Sequence, residues 1–143
     1  MPIRKADAEW KGNLQDGQGQ LFLGSGSYEG KYSFRSRMGD GVGGTNPEEL
    51  IAAAHAACYS MALSNALASA GFTPTRVHTD ASVHFNKVEG GFAINPIDLV
   101  TEAAAPGIDN ATFQKIAEDA KQNCPVSKAL AAVDIRLQAT LVK

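Results

Sequence analysis

The sequence is short of cysteine, with only Cys58 and Cys124 in 143 residues. Two are too few to staple a chain of this size with a disulfide framework. In a reducing compartment their roles narrow to inert core thiols, metal ligands or redox chemistry. Runs of like charge are also missing. With a formal net charge of −2, the chain offers no broad electrostatic footprint for nucleic acid or a membrane surface, and neither partner is expected. Nor does any segment approach the roughly 18 uninterrupted apolar residues of a membrane span. Ser60, Ser64 and Asn65 break the best candidate. The opening "MPIRKADAEWKG" has charges but no apolar stretch behind them, so it does not read as a secretory signal. The expected location is cytoplasmic. No repeat or low-complexity linker divides the sequence, and one domain over residues 1–143 is expected.

What is present is strand, then helix, then strand again. "AEWKGNL", "GQLFL" and "SYEGKYSFRSR" read as three strands separated by the turn material "QDGQ" and "GSGS". Alternation puts Tyr28, Tyr32 and Phe34 on one face of the third strand and Lys31, Arg35 and Arg37 on the other. A Gly-rich loop, "MGDGVGG", follows. In "TNPEEL", Asn46 suits an N-cap, Pro47 the first helical position, and Glu49 a capping box. The helix predicted from there runs to Gly71. Its middle, "LIAAAHAACYSMALSNALASA", is Ala-rich and apolar nearly all round.

Val77, Thr79, Ala81, Val83 and Phe85 then alternate with polar residues in a clear strand, turned by "EGG" into "FAINPIDLVTEA". Pro96 there predicts a bulge or an edge strand. A helix from about Asp109 carries Phe113, Ile116, Ala117 and Ala120 at amphipathic spacing. "NCPVSKALAA" opens a short further helix, and Val133 to Leu141 alternate as a last strand. Strands in runs argue for an α+β fold, with antiparallel sheets packed around the long helix. One sheet covers only one side of that helix, so a second subunit is expected on the other: a homodimer.

Cys58 lies mid-helix, where burial raises a thiol's pKa and an added cation would be needed to activate it. Cys124 precedes Pro125 at a helix start, where a thiolate is favoured, so local physics makes it the more acidic of the two. His55 and Cys58 are neighbours at i and i+3. That spacing permits a zinc half-site or a Cys–His pair, but no short-spaced ligand pair joins it, and His55 reads best as a core histidine with a hydrogen-bond partner. Three readings stand at this point. One is a thiol enzyme. Another is a small-ligand or lipid-binding module with incidental cysteines. The last is a metal-binding protein using His55, Cys58 and Cys124.

Taken together, "GTNPEELIAAAHAACYSMAL" and the later "NCPVSKAL" resemble the osmotically inducible protein C and organic hydroperoxide resistance family. "HAAC" with "PEEL" is more similar to the osmotically inducible branch. The resemblance covers nearly the whole chain. It implies a thiol peroxidase that reduces organic hydroperoxides to alcohols without cofactor or metal. By motif match Cys58 would be the peroxidatic cysteine and Cys124 the resolving one. Glu48 matches the family's site carboxylate and Arg37 its site arginine, with Arg35 close by. An external dithiol, of lipoyl type in the family, would reduce the resulting disulfide. Arg37 against Cys58 in a water-poor pocket would supply the charge that burial withholds. Glu48 and Cys58, ten residues apart on one helix, lie roughly 15 Å apart along its axis. A site using both is therefore expected to form between two chains, with Arg37 and Glu48 donated across a two-fold.

Overall fold

The computed structural model describes every residue, Met1–Lys143. Packing divides them into two compact units, Met1–Leu50 and Ile51–Lys143.

In the first unit β1 (Ala6–Lys11), β2 (Gln18–Leu23) and β3 (Glu29–Tyr32) form an antiparallel meander in chain order. Gly19 stands in register between Trp10 and Tyr32. The two rings close over it with centroids 5.5 Å apart, and a Cβ there would collide with both. The glycine gains from its neighbours the cover it cannot provide itself.

The third strand is shorter than expected. It stops at Tyr32, and Phe34–Met38 form a short helix, α1. Ser33 is the reason. Its hydroxyl accepts from the Ser36 amide at 3.1 Å, and the Ser36 hydroxyl accepts from the Ser33 amide at 2.8 Å. This reciprocal cap starts a helix where alternation alone predicted continued strand. Arg35 and Arg37 consequently do not share a face. Two residues apart on a helix they project about 200° from one another.

The second unit holds most of α2 (Pro47–Ser69), then β4 (Arg76–Val88), β5 (Gly91–Ala104), α3 (Asn110–Asn123), α4 (Pro125–Ala129) and β6 (Ile135–Val142). Its sheet has the order β4-β5-β6. The expectation of purely antiparallel sheets needs correcting here, because β6 runs parallel to β5 from Ile97↔Ile135 to Ala104↔Val142. The connection between them passes through α3 and α4, a crossover that returns the chain in its original direction. Pro96 resolves as a bulge. Asn95 and Pro96 together oppose His84, between the pairs Val83↔Ile97 and Phe85↔Ile94. The edge-strand alternative fails, since β5 is the central strand.

Asn46 caps α2 as expected, accepting from the Glu49 amide at 2.8 Å. The Glu49 carboxylate takes a different partner from the one a capping box requires, accepting from the Thr45 hydroxyl at 2.8 Å. Past the other end, Gly71 adopts a φ of +93°, which a helix-terminating glycine reaches without strain. Only one row of α2 is buried within the second unit: His55, Tyr59, Leu63 and Leu67, spaced four residues apart. They join Ile97, Leu99, Ala103, Phe113 and Ala117 in a continuous core. Leu63 and Leu67 each contribute on the order of 1.5–3 kcal/mol by burial. The opposite row, with Ala53, Ala54, Ala57, Met61 and Ala68, is exposed. By length and composition alone α2, with a mean hydropathy of 1.3, could cross a membrane. Its buried row, packed on sheet and α3, is that of a core helix.

Candidate active site

In the first unit, three hydrogen bonds to backbone carbonyls bring Arg37 to Glu48. The Ser36 hydroxyl donates to the Thr45 carbonyl at 2.7 Å. The Asn46 side-chain amide donates to the Ser36 carbonyl at 3.1 Å, and the Thr45 amide to the Lys31 carbonyl at 2.8 Å. Between these ties the Gly-rich loop turns through Gly41 and Gly43, with φ of +76° and +90° that glycine tolerates best. The last turn of α1 thus meets the first turn of α2. Arg37 Nε donates to both Glu48 oxygens, at 3.0 and 3.2 Å, and a terminal guanidinium nitrogen donates to Oε1 at 2.6 Å. This forked arrangement is the strong form of the pair. Glu48 is only 7% exposed. The helical turn of α1 selects Arg37 for this carboxylate and leaves Arg35 exposed.

In the second unit Cys58 and Cys124 come together. Their sulfurs are 3.2 Å apart and share a hydrogen bond. Neighbours of Cys58 fix α2 on both sides. The Tyr59 hydroxyl donates to the Ala117 carbonyl of α3 at 3.0 Å. The Ser60 hydroxyl donates to Thr79 Oγ1 of β4 at 2.8 Å, which is joined to Thr101 of β5 at 2.9 Å. Cys124 stands between α3 and α4, with its amide bonded to the Ala120 carbonyl and its carbonyl to the Lys128 amide. Both thiols are free; Cys124 is wholly buried, Cys58 partly exposed.

The two sulfurs differ electrically. Burial pushes the Cys58 thiol up, and its hydrogen bond to Cys124 adds to this, partly offset by the Val126 amide. Burial also opposes ionisation of Cys124. There the Ser127 amide, the Cys58 thiol, the Ser127 hydroxyl and the Val126 amide outweigh it, and the net direction is down. The acidity order read from the sequence is the order found.

His55 is fully buried, and its Nε2 lies 2.8 Å from Ser127 Oγ. It is the core histidine with a partner that its context predicted. Ser127 was not singled out in the sequence. Its position three residues after Cys124, in "CPVS", was the available signal. No group of three or more His, Cys, Asp or Glu side chains is placed to hold a metal ion. The His55–Cys58–Cys124 metal reading therefore lacks a ligand set.

The chain is similar to known proteins. The sequence is 51% identical over 130 residues to peroxiredoxin OsmC of Escherichia coli, covering 90% of each chain. It is 40% identical over 96 residues to an organic hydroperoxide resistance protein of Xanthomonas axonopodis pv. citri, covering 66% of each. The crystal structure of the organic hydroperoxide resistance protein OhrB of Bacillus subtilis superposes with a TM-score of 0.75 at 27% identity, over 95% of this chain and 98% of that one. The family model for OsmC-like proteins matches residues 39–138, a span that contains Glu48 and both cysteines. Peroxidase-type relatives, a shared fold and two adjoining thiols agree, and the chain belongs to the OsmC-like protein family.

Proposed function

We propose that this protein is a cysteine-based peroxidase that reduces organic hydroperoxides to alcohols, with Cys58 as the attacking thiol and Cys124 as the resolving one. The observation that carries the reading is the sulfur pair: 3.2 Å apart, with only Cys58 reachable from outside. A peroxide must touch the sulfur that attacks it, and Cys124 has no exposed surface. The Cys58 thiolate attacks the outer peroxide oxygen. The O–O bond breaks, the alkoxide takes a proton and leaves as alcohol, and Cys58 becomes a sulfenic acid. The Cys124 sulfur then displaces the hydroxyl as water and closes a disulfide. Closing it needs an approach of about 1 Å, to the usual 2.05 Å. An external dithiol, of lipoyl type, restores both thiols by exchange. The cycle suits the cytoplasm, where such reductants are kept reduced.

Cys58 needs a cation, because burial raises its pKa. We assign that task to Arg37, held in aim by Glu48 and brought to Cys58 by a second copy of the chain. The open row of α2, including Met61 at 75% exposure, gives that copy an apolar surface to cover. Inside such a water-poor contact the guanidinium stabilises the thiolate and then hydrogen-bonds the developing alkoxide.

Titration of free thiols before and after one equivalent of an alkyl hydroperoxide tests the reading. Rapid loss of both thiols as an intramolecular disulfide is expected, abolished in Cys58→Ser. In Cys124→Ser the sulfenic acid should persist. Unchanged thiols would sink the peroxidase and favour a binding module.

A further inference from the structure

Cys58 and Cys124 are unbridged, and their sulfurs stand 3.2 Å apart. That is too far for a bond and close enough to discriminate among soft ligands by the separation each one demands. Zinc is the familiar ligand of a thiol pair. With bonds of about 2.3 Å at tetrahedral angles it holds two sulfurs about 3.8 Å apart, and it takes four ligands. The pair is closer than that, and no group of three or more His, Cys, Asp or Glu side chains completes a set. His55, one turn back on α2, has its Nε2 engaged with Ser127. A linear two-coordinate ion such as copper(I) sits between its sulfurs and spreads them two bond lengths apart, about 4.5 Å.

Trivalent arsenic is pyramidal and holds two sulfurs at little more than a right angle. Bonds near the zinc–sulfur length then set those sulfurs about 3.3 Å apart. A monosubstituted arsenical also brings its own third group, so two thiols are all it asks of a protein. Cys124 has no exposed surface, whereas Cys58 is partly exposed, and arsenic therefore enters from the Cys58 side. Ala54 and Met61, at i−4 and i+3 from Cys58 on the same helix, are exposed and give an aromatic substituent apolar contact.

We propose that the reduced Cys58–Cys124 pair is a chelating site for monosubstituted trivalent arsenicals, R–As(OH)2. Each As–O bond to hydroxyl breaks as an As–S bond forms. The two thiol protons leave with the two hydroxyls as water. Arsenic keeps its oxidation state, so the step needs neither oxidant nor reductant. The product is a one-atom bridge between the middle of α2 and the start of α4. The fold supplies the chelate, because the cysteines are 66 residues apart in the chain and an unfolded chain must close that loop to use both. Binding is thereby tied to the native state and stabilises it. The site does not depend on peroxide chemistry, although an arsenical bound there occupies the thiols which that chemistry uses.

Phenylarsine oxide titrated into the full-length protein, reduced beforehand with a phosphine, provides the test. Free thiols counted with a chromogenic disulfide should both disappear at one equivalent of arsenical. Excess glutathione should leave them masked, and 2,3-dimercaptopropanol should release them. Cys58→Ser and Cys124→Ser should each bind about 100-fold more weakly or worse, the lower end of what a second linked contact contributes. The thermal midpoint of the parent should rise with the arsenical. One thiol lost per arsenical, masking that glutathione reverses, or an unmoved parent midpoint would overturn the chelate. So would one equivalent of zinc that masks the pair as firmly, because the sulfurs would then spread freely to the tetrahedral distance. The peroxidase reading stands or falls separately. A protein that takes one arsenical on two thiols yet ignores an alkyl hydroperoxide keeps this site and loses that activity. One that closes its disulfide with peroxide but binds arsenical thiol by thiol keeps the activity and loses this site.

Discussion

The two faces of α2 are both largely apolar and do opposite things. One face places His55, Tyr59, Leu63 and Leu67 in the core of the second unit, where none has measurable exposure. The other leaves alanines and Met61 uncovered. Side-chain size separates them. Large side chains reach the sheet and α3, whereas a row of alanines lets another backbone approach closely. Cys58 sits on the border, partly exposed and in contact with the buried Cys124. The closed face makes the fold, the open face stays uncovered, and the thiol lies between them.

The closed face should break hardest. Leu63→Ala, at a position with 0% exposure, should lower unfolding free energy by about 2–5 kcal/mol in urea titration, through lost transfer energy plus a cavity. A loss near zero would mean that the row is not the core it forms in this fold.

Met61→Glu probes the open face. On a lone chain an exposed substitution moves stability by about 0.5 kcal/mol or less. If two copies meet there, sedimentation should show association weakened about 100-fold, near 2.7 kcal/mol, with peroxide reduction falling alongside it. Retained dimer and retained activity would remove this face from the interface.

How much of this was legible from the chain follows the same division. The helix was read as apolar nearly all round, and which row faces the core emerged only with the sheet and α3 packed against His55, Tyr59, Leu63 and Leu67. Cys58 and Cys124 were found through motifs, and Asn46, Asp109 and Pro125 marked helix starts by their own chemistry. Misread features depended on competition or on distance. Arg35 and Arg37 fit a strand until the reciprocal bonds of Ser33 and Ser36 are weighed. Whether β6 runs parallel or antiparallel to β5 depends on where α3 and α4 take the chain, which no alternation pattern in Val133–Leu141 records. Ser127 was missed because its partner, His55, is 72 residues away.

A third prediction concerns the charged pair. Arg37→Met leaves the Glu48 carboxylate, 8% exposed, without its forked donor. Hydrogen bonds to charged groups contribute about 1.5–3 kcal/mol. The lower end applies here, because the arginine side chain is 40% exposed and solvent screens it. A double-mutant cycle with Glu48→Gln should show coupling of about 1.5 kcal/mol. The same substitution should cost peroxide reduction about 100-fold or more if Arg37 serves the sulfur. Coupling in stability without any loss of rate would make the pair structural only.

The smallest effect belongs to His55, on the closed face. Its folded pKa lies below the ordinary 6.5 because burial disfavours the charged ring. The unfolded chain therefore binds a proton that the folded chain refuses. A group depressed in this way contributes its stability above the unfolded pKa and loses it as pH falls towards the folded one. One pH unit below the ordinary value, the loss is at most about 1.4 kcal/mol. His55→Gln cannot take up that proton, yet keeps an amide donor for Ser127. Urea unfolding at neutral and mildly acidic pH should show the parent losing more stability than this variant. Parallel losses would mean that the buried ring is not refusing a proton.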